Sequence, residues 1–200
     1  MAIVGLTGGF GTGKSFVAKI FKKLGARIVD ADKLAHNTLK KGSSTYKNIV
    51  SVFGRSILDT KGLIDRKSLG KIAFSDKRKI ARLNSIIHPV VIKKIKDEIR
   101  SSKNEVLVVD APLICETSLL GLVNVLVVVK SSREKQVDRC VKKFNLKKED
   151  IYKRMECQMP LKAKIGKADY VVDNNGTRKE TKKQVVKIWQ DLKKGARVWR

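Results

Sequence analysis

Residues 8–15, Gly8-Gly9-Phe10-Gly11-Thr12-Gly13-Lys14-Ser15, decide the fold. They satisfy the spacing G-x-x-x-x-G-K-[ST], a pattern that gains its force from context. Apolar residues 3–6 read as a buried strand ahead of the loop, and Val17, Ile20, Phe21 and Leu24 recur at i, i+3, i+4 and i+7 behind it. Glycines let the backbone curl its N–H groups around phosphate oxygens, and the helix N-terminus adds positive partial charge. The stretch therefore reads as a P-loop for ATP, with Lys14 bridging the β- and γ-phosphates and Ser15 Oγ on Mg2+. A glycine-rich turn arisen by chance is the alternative, and the flanking strand and helix argue against it.

Working outward, Gly25 stops the first helix and Arg27-Ile28-Val29-Asp30 forms a short second strand. Residues 106–109 and 125–129 are unbroken apolar runs, which suit parallel strands covered on both faces. Tyr170-Val171-Val172 makes a last strand, and Val185, Ile188, Trp189 and Leu192 share one face of the final helix. Strands alternating with helices predict an α/β, three-layer P-loop NTPase fold with a parallel central sheet. The segment between the second and third strands has a mostly helical pattern, broken at Gly42, Gly54, Gly62 and His88-Pro89. It is expected to be a helical substrate-binding insertion (36–102) over the carboxyl ends of the strands, where such sheets bind ligands. A polar helical segment (133–165) is expected to form a lid. The core then comprises 1–35, 103–132 and 166–200.

The chain has 200 residues and a net charge of +26, and 33 of its 45 basic residues are Lys, scattered rather than clustered. Three readings fit: a surface that attracts nucleic acid, a simple excess of solvated lysine, or a field that concentrates polyanionic substrates. Specific nucleic-acid binding is not the expectation, because no basic tract stands out. No apolar run is long enough for a membrane span. Met1-Ala2-Ile3-Val4-Gly5 runs straight into the first strand, so no cleavable signal peptide is expected. Cys115, Cys140 and Cys157 have no C-x-x-C spacing, so neither a disulfide framework nor a zinc site is indicated. A reducing cytoplasm is the expected compartment, and a monomer or weak homo-oligomer the expected state.

Asp30-Ala31-Asp32 closes the second strand, and one of these carboxylates is placed to take the proton of an attacking hydroxyl. Both side chains point the same way only if the strand persists that far. A bend separates them, and Asp32 then caps the following helix. Asp110 ends the third strand in the position of a carboxylate that holds Mg2+ through water, or of a satisfied strand-end polar group. Gln136, Arg139 and Lys143 share one predicted helix face, opposite Val137, Cys140, Val141 and Phe144; Arg154 lies on the next helix. Delivered by a closing lid, such cations would neutralise the transferring phosphoryl group; a solvated helix face is the alternative. Asp59-Thr60-Lys61-Gly62 superficially matches the D-x-x-G switch of GTPases, but no buried strand precedes it and no Asn-Lys-x-Asp guanine reader exists.

Together these motifs resemble the dephospho-coenzyme A kinase family along nearly the whole chain. The resemblance rests on Leu6-Thr7-Gly8-Gly9 entering the P-loop, Asp30-Ala31-Asp32 with Ala35-His36, Gly62 with Asp65-Arg66 and Leu69, and Ile87-His88-Pro89. Asp110-Ala111-Pro112-Leu113 with Glu116, Gln136-x-x-Arg139, Arg154-Met155-x-x-Gln158-Met159 and the run Ala168 to Gly176 complete it. It implies transfer of the ATP γ-phosphoryl group to the ribose 3′-hydroxyl of dephospho-coenzyme A; another small-molecule or nucleoside-monophosphate kinase of this fold is the alternative. It implies Asp32 as base, with Lys14 and Arg139 as the other catalytic groups. ATP contacts would come from Gly11, Thr12, Gly13, Lys14, Ser15, Phe16, Arg139, Asn174 and Gly176, with Asn174 near the adenine. Thr7, Asp32, His88, Pro89, Pro112 and Leu113 would hold the acceptor, and Ser15 and Asp110 (through water) the Mg2+. His88 and Pro89 also fit a purely structural role, Pro89 in the first turn of a helix and His88 as its cap.

Four positions depart from the family pattern. Phe16 replaces the usual Thr, which deletes a hydroxyl contact and leaves a backbone N–H to reach the α-phosphate. Phe10 replaces a smaller aliphatic residue at the loop tip. Lys143 stands where a second Arg is common, turning a bidentate grip into a point charge. Cys115 stands where an aromatic residue is frequent. None removes a group that the chemistry requires.

Overall fold

The structure, a computed structural model, describes residues 1–103 and 105–195; the last five residues of the expected core, 196–200, lie outside the described residues. Five parallel strands, β1 (Ala2–Gly8), β2 (Arg27–Asp30), β3 (Val106–Asp110), β4 (Val125–Lys130) and β5 (Tyr170–Asp173), lie in the order β2-β3-β1-β4-β5. The apolar runs over 106–109 and 125–129 are therefore the two neighbours of β1. Their burial on both faces is why they carry no polar alternation. Two compact units are present: Met1–Asp30 with the chain from Glu98 onward, and Ala31–Asp97.

In the first unit, Val4 and Leu6 of β1 with Val106, Val108, Val125, Val127, Val129 and Val172 form one face of the sheet's core. Helix α1 (Lys14–Lys23) brings Val17, Ile20 and Phe21 to this core. The long C-terminal helix (Arg178–Lys193) adds Val185, Ile188 and Leu192. On the opposite face a β-carbon at Gly5 would stand 2.6 Å from Ile114 Cδ1, so any side chain here would make Ile114 shift. Ile114 belongs to a short 3-10 turn (Ile114–Glu116) that follows β3 and covers this face.

The second unit begins where β2 ends. Helix α2 (Ala31–Thr38) starts directly after Asp30, so the strand does not continue to Asp32. Asp30 is a strand-end residue and Asp32 lies in the first turn of a helix, the bend that separates their roles. Helices α3 (Ser44–Phe53), α4 (Arg66–Ala73) and the start of α5 (Lys77–Ser101) pack around buried Ile49, Ile57 and Leu69. Asp65 caps α4, accepting from the N–H groups of Lys67 (3.0 Å) and Ser68 (3.1 Å). Asp59 closes its own turn, accepting from Lys61 N (2.9 Å) and Leu63 N (2.8 Å), so the D-x-x-G match is a local turn. Gly42, Gly54 and Gly62 break the helices as expected, but His88-Pro89 does not. Pro89 sits inside the 25-residue α5 rather than in a first turn. Its missing N–H deprives only the carbonyl of Ser85 of a helical partner, a local cost that the apolar contacts of Leu83, Ile86 and Ile87 offset.

Past β4 come α6 (Arg133–Phe144), α7 (Lys148–Glu156) and α8 (Leu161–Ile165), and the C-terminal helix is α9. The expected apolar face of α6 is only partly right. Gln136, Val137 and Cys140 are buried, whereas Val141 and Phe144 are exposed. Gln136 goes inward because the glycines of the P-loop leave space for it: a β-carbon on Gly9 would stand 3.0 Å from Gln136 Oε1. Phe144 instead stacks on Phe10 of the loop tip, ring centroids 5.7 Å apart, beside a small cluster of Val137, Cys140 and Ile151.

Candidate active site

The P-loop leaves β1 at Gly8 and enters α1 at Lys14. Gly11 (φ 82°) and Gly13 (φ 91°) hold the left-handed conformation that turns the chain. A side chain at Gly11 would also meet α6, with a β-carbon 2.5 Å from the carbonyl oxygen of Gln136. Thr12 is buried and donates its hydroxyl to Gly9 O at 2.9 Å. Its carbonyl turns outward and accepts from Asn174 Nδ2 (2.8 Å) and Arg139 Nη1 (3.1 Å).

Arg139 is accordingly anchored. Nη1 also reaches Ser131 Oγ at 3.2 Å, and Nη2 donates to Asn174 O at 2.8 Å. Asn174 is buried, and its second side-chain atom, Oδ1, accepts from Thr181 Oγ1 at 2.9 Å. Both polar ends of the Asn174 side chain are thus used to brace the loop. Gly176 lies exposed just beyond, ahead of the capping box that starts α9.

Ionic groups gather on the other flank. Lys14 Nζ pairs with Asp110 Oδ1, both side chains largely buried. Asp30 is the register partner of Asp110 across β2 and β3. Burial pushes the Asp110 carboxyl above its ordinary value; Lys14 pulls it back down by charge and hydrogen bond, and Asp30 repels it upward. Ser15 is exposed at the first turn of α1. Phe16 N–H already donates to Gly13 O at 2.9 Å, because the first helical turn closes on that carbonyl. The main-chain contact expected of Phe16 must share that hydrogen. The Phe16 ring lies under Arg178 of α9, 5.7 Å from the guanidinium carbon.

Thr7 is fully buried and donates its hydroxyl to Pro112 O at 3.0 Å. Pro112 and Leu113 are half-buried in the strap after Asp110. Thr7, Lys14, Asp110, Pro112 and Leu113 therefore lie together on the β1–β3 side, and Thr12, Arg139 and Asn174 on the β4–β5 side. Asp32, His88 and Pro89 belong to the second unit. Sequence reading missed two groups: Thr181, which holds Asn174, and Lys164, whose Nζ donates to Pro112 O at 2.6 Å. Nothing in the sequence marked which of the many lysines would meet Glu116.

A parallel sheet with this loop at the end of its central strand, and a lysine–aspartate pair at its mouth, defines a P-loop NTPase fold. The sequence profile of the dephospho-CoA kinase family matches residues 2–180. The chain is 39% identical over 196 residues to the dephospho-CoA kinase of Carboxydothermus hydrogenoformans, covering 96% of this chain and 95% of that protein. A crystal structure from Thermus thermophilus superposes with a TM-score of 0.82 at 26% identity, over 94% of this chain and 96% of that one. A dephospho-CoA kinase structure from Campylobacter jejuni gives 0.69 at 27% identity, over 97% and 98%. The chain belongs to the dephospho-CoA kinase family, which catalyses the final step of coenzyme A biosynthesis. Among the described residues, no helix is long and apolar enough to cross a membrane.

Proposed function

We propose that the chain transfers the γ-phosphoryl group of ATP to the ribose 3′-hydroxyl of dephospho-CoA through the residues assembled around Lys14. The carrying observation is the buried Lys14–Asp110 pair at the mouth of the P-loop. On ATP binding, Lys14 exchanges Asp110 for the β- and γ-phosphate oxygens. The main chain of Gly11, Thr12, Gly13 and Ser15 lines the phosphates, with Phe16 sharing its N–H. Arg139 and Asn174 keep that main chain in shape, and three of the five guanidinium donors are accounted for by the contacts described. The remaining N–H capacity of Arg139 serves the phosphates, while the backbone near Asn174 and Gly176 lies toward the adenine.

The donor set also suits a divalent cation. Ser15 Oγ and the Asp110 carboxylate are hard oxygen ligands of the kind that Mg2+ prefers, Asp110 acting through water. When bound, Mg2+ would neutralise charge building between the β- and γ-phosphates. The acceptor oxygen bonds to the γ-phosphorus as the bond to the β-phosphate oxygen breaks, and its proton passes to Asp32. Thr7 and Lys164 hold the Pro112–Leu113 strap for the acceptor, and His88 and Pro89 belong to the acceptor-binding insertion. Closure of α6–α8 as a lid would keep water from the reaction. A cytoplasmic monomer or weak homo-oligomer completes the reading.

Mass spectrometry of the ATP reaction tests it directly: dephospho-CoA must gain one phosphate. Asp32→Asn is expected to lower kcat by roughly 10²–10⁴-fold, the usual scale of general-base catalysis. Undiminished turnover in that variant removes Asp32 from its role.

A further inference from the structure

Among the described residues, Lys164 is the only lysine or arginine that is fully buried, in a chain most of whose other lysines lie at the surface. Taking an ammonium out of water is costly unless its donors are satisfied and its charge is met. Two of its three donors have partners, and its charge is met by a carboxylate. The Lys164 side chain is 0% exposed; Nζ donates to Pro112 O at 2.6 Å and lies 3.1 Å from Glu116 Oε1. The same Pro112 carbonyl accepts from Thr7 Oγ1, and the same Glu116 oxygen accepts from Met159 N at 2.7 Å. Leu113 O accepts from Glu116 N and Thr117 Oγ1, each at 3.1 Å. One buried ammonium thus fastens the strap after Asp110 to the end of β1 on one side and to the exit of α7 on the other.

We infer that Lys164 is a positioning residue for the acceptor: by gripping Pro112 and Glu116, it fixes the strap on which dephospho-CoA is held. The inference rests on the function proposed above, with Pro112 and Leu113 on the acceptor side. It separates the two substrates because no contact described for Lys164 reaches Thr12, Arg139, Asn174 or Thr181. Losing the ammonium leaves Pro112 O with Thr7 alone and Glu116 without its buried cation. The strap then relaxes while the nucleotide brace stays intact. Arg in place of Lys164 keeps the charge and donors and restores most of the grip, which a role as mere filling would not require.

The test measures wild type, Lys164→Met, Lys164→Arg and Glu116→Gln by initial rates, varying each substrate at saturation of the other. Thermal melts accompany the rates, and dephospho-CoA binding is followed by calorimetry. Lys164→Met is expected to cut kcat/KM for dephospho-CoA at least about tenfold, a modest loss for a misplaced reactant, with KM for ATP within about twofold. Lys164→Arg should recover most of the loss, and Glu116→Gln should fall between. If Lys164→Met does not fold, Glu116→Gln decides by the same split between substrates. An unchanged acceptor constant, or equal losses toward both substrates without rescue by Arg, overturns the inference. Wild-type protein that fails to phosphorylate dephospho-CoA takes down the underlying function as well; active wild type with indifferent variants takes down only Lys164.

Discussion

On the β4–β5 flank the P-loop is held by neutral amide and hydroxyl groups and one guanidinium, and the two that touch the loop, Asn174 and Arg139, both donate to the Thr12 carbonyl. On the β3 flank it meets Lys14, Asp110 and Asp30, with Lys164 and Glu116 behind them. The first arrangement fixes a shape. Thr12 O accepts from both Asn174 and Arg139. The second holds Lys14 and Asp110 as a mutually neutralising pair, and under the function proposed above phosphates would compete with Asp110 for the lysine. One loop is thus braced on one side and poised on the other. A kinase site needs both, since transition-state stabilisation demands donors already in place and charges that can be exchanged.

Breaking the charged flank should have the larger effect. Lys14→Ala removes the only lysine of the loop and is expected to lower kcat by about 10²–10³-fold, the scale for deleting one preorganised donor. Steady-state rates with saturating substrates check it, and a loss under about tenfold would show that Lys14 does not serve the transition state. Breaking the braced flank should act more gently and on a different constant. Asn174→Ala strips Thr12 O of one donor and leaves the buried Thr181 hydroxyl only the Thr177 carbonyl at 3.2 Å, a cost of about 1 kcal/mol. Its melting temperature should fall and its KM for ATP rise about tenfold, the equivalent of 1.4 kcal/mol. The acceptor KM should stay put; if it rises in step with that for ATP, the two flanks are not separate.

The contrast was half legible in the sequence. The P-loop, the strands and the inward faces of α1 and α9 follow from period and from unbroken apolar runs, because burial on both sides of the sheet removes any choice of register. The charged flank was visible in Asp110, a carboxylate at a strand end. On the braced flank Thr12, Arg139 and Asn174 were named only through the family resemblance, and the inward turn of Gln136 was not legible, since it depends on absent atoms. Gln136 turns its side chain toward Gly9, and the backbone of α6 approaches Gly11, where β-carbons would crowd them. A helix wheel of α6 cannot see a neighbour's missing side chain. The separation of Asp30 from Asp32 was one of two alternatives that the sequence left open, because the choice turns on a helix starting directly after the strand ends. Proline misled at position 89 for a related reason: local preference gave way to the packing of a long helix. Lys164 was invisible by sheer number, as only the fold says which lysine lies under the strap.

The smallest expected effect lies at the outer edge of the braced flank, where α9 begins. Thr177 accepts from Glu180 N at 3.2 Å, and Glu180 Oε2 accepts in return from the Thr177 N–H at 2.6 Å. This capping box sets the first turn of α9, and Thr181 in that turn holds Asn174. Thr177→Ala should cost about 1 kcal/mol, read as a lower melting temperature, with rates little changed. Glu180 adds a pH signature of known sign. The hydrogen bonds from Thr177, backbone first and hydroxyl second, hold its carboxyl below the ordinary glutamate value. Its folded pKa is therefore lower than its unfolded one, so the unfolded chain binds more protons in the acid range. The stabilisation is fully present above the ordinary glutamate pKa and is lost as pH falls through the depressed folded value. Melts of wild type and Glu180→Ala should differ most near neutrality and converge in acid. A gap that widens on acidification would mean that the carboxylate is not what caps α9, and that the brace on Asn174 starts from some other contact.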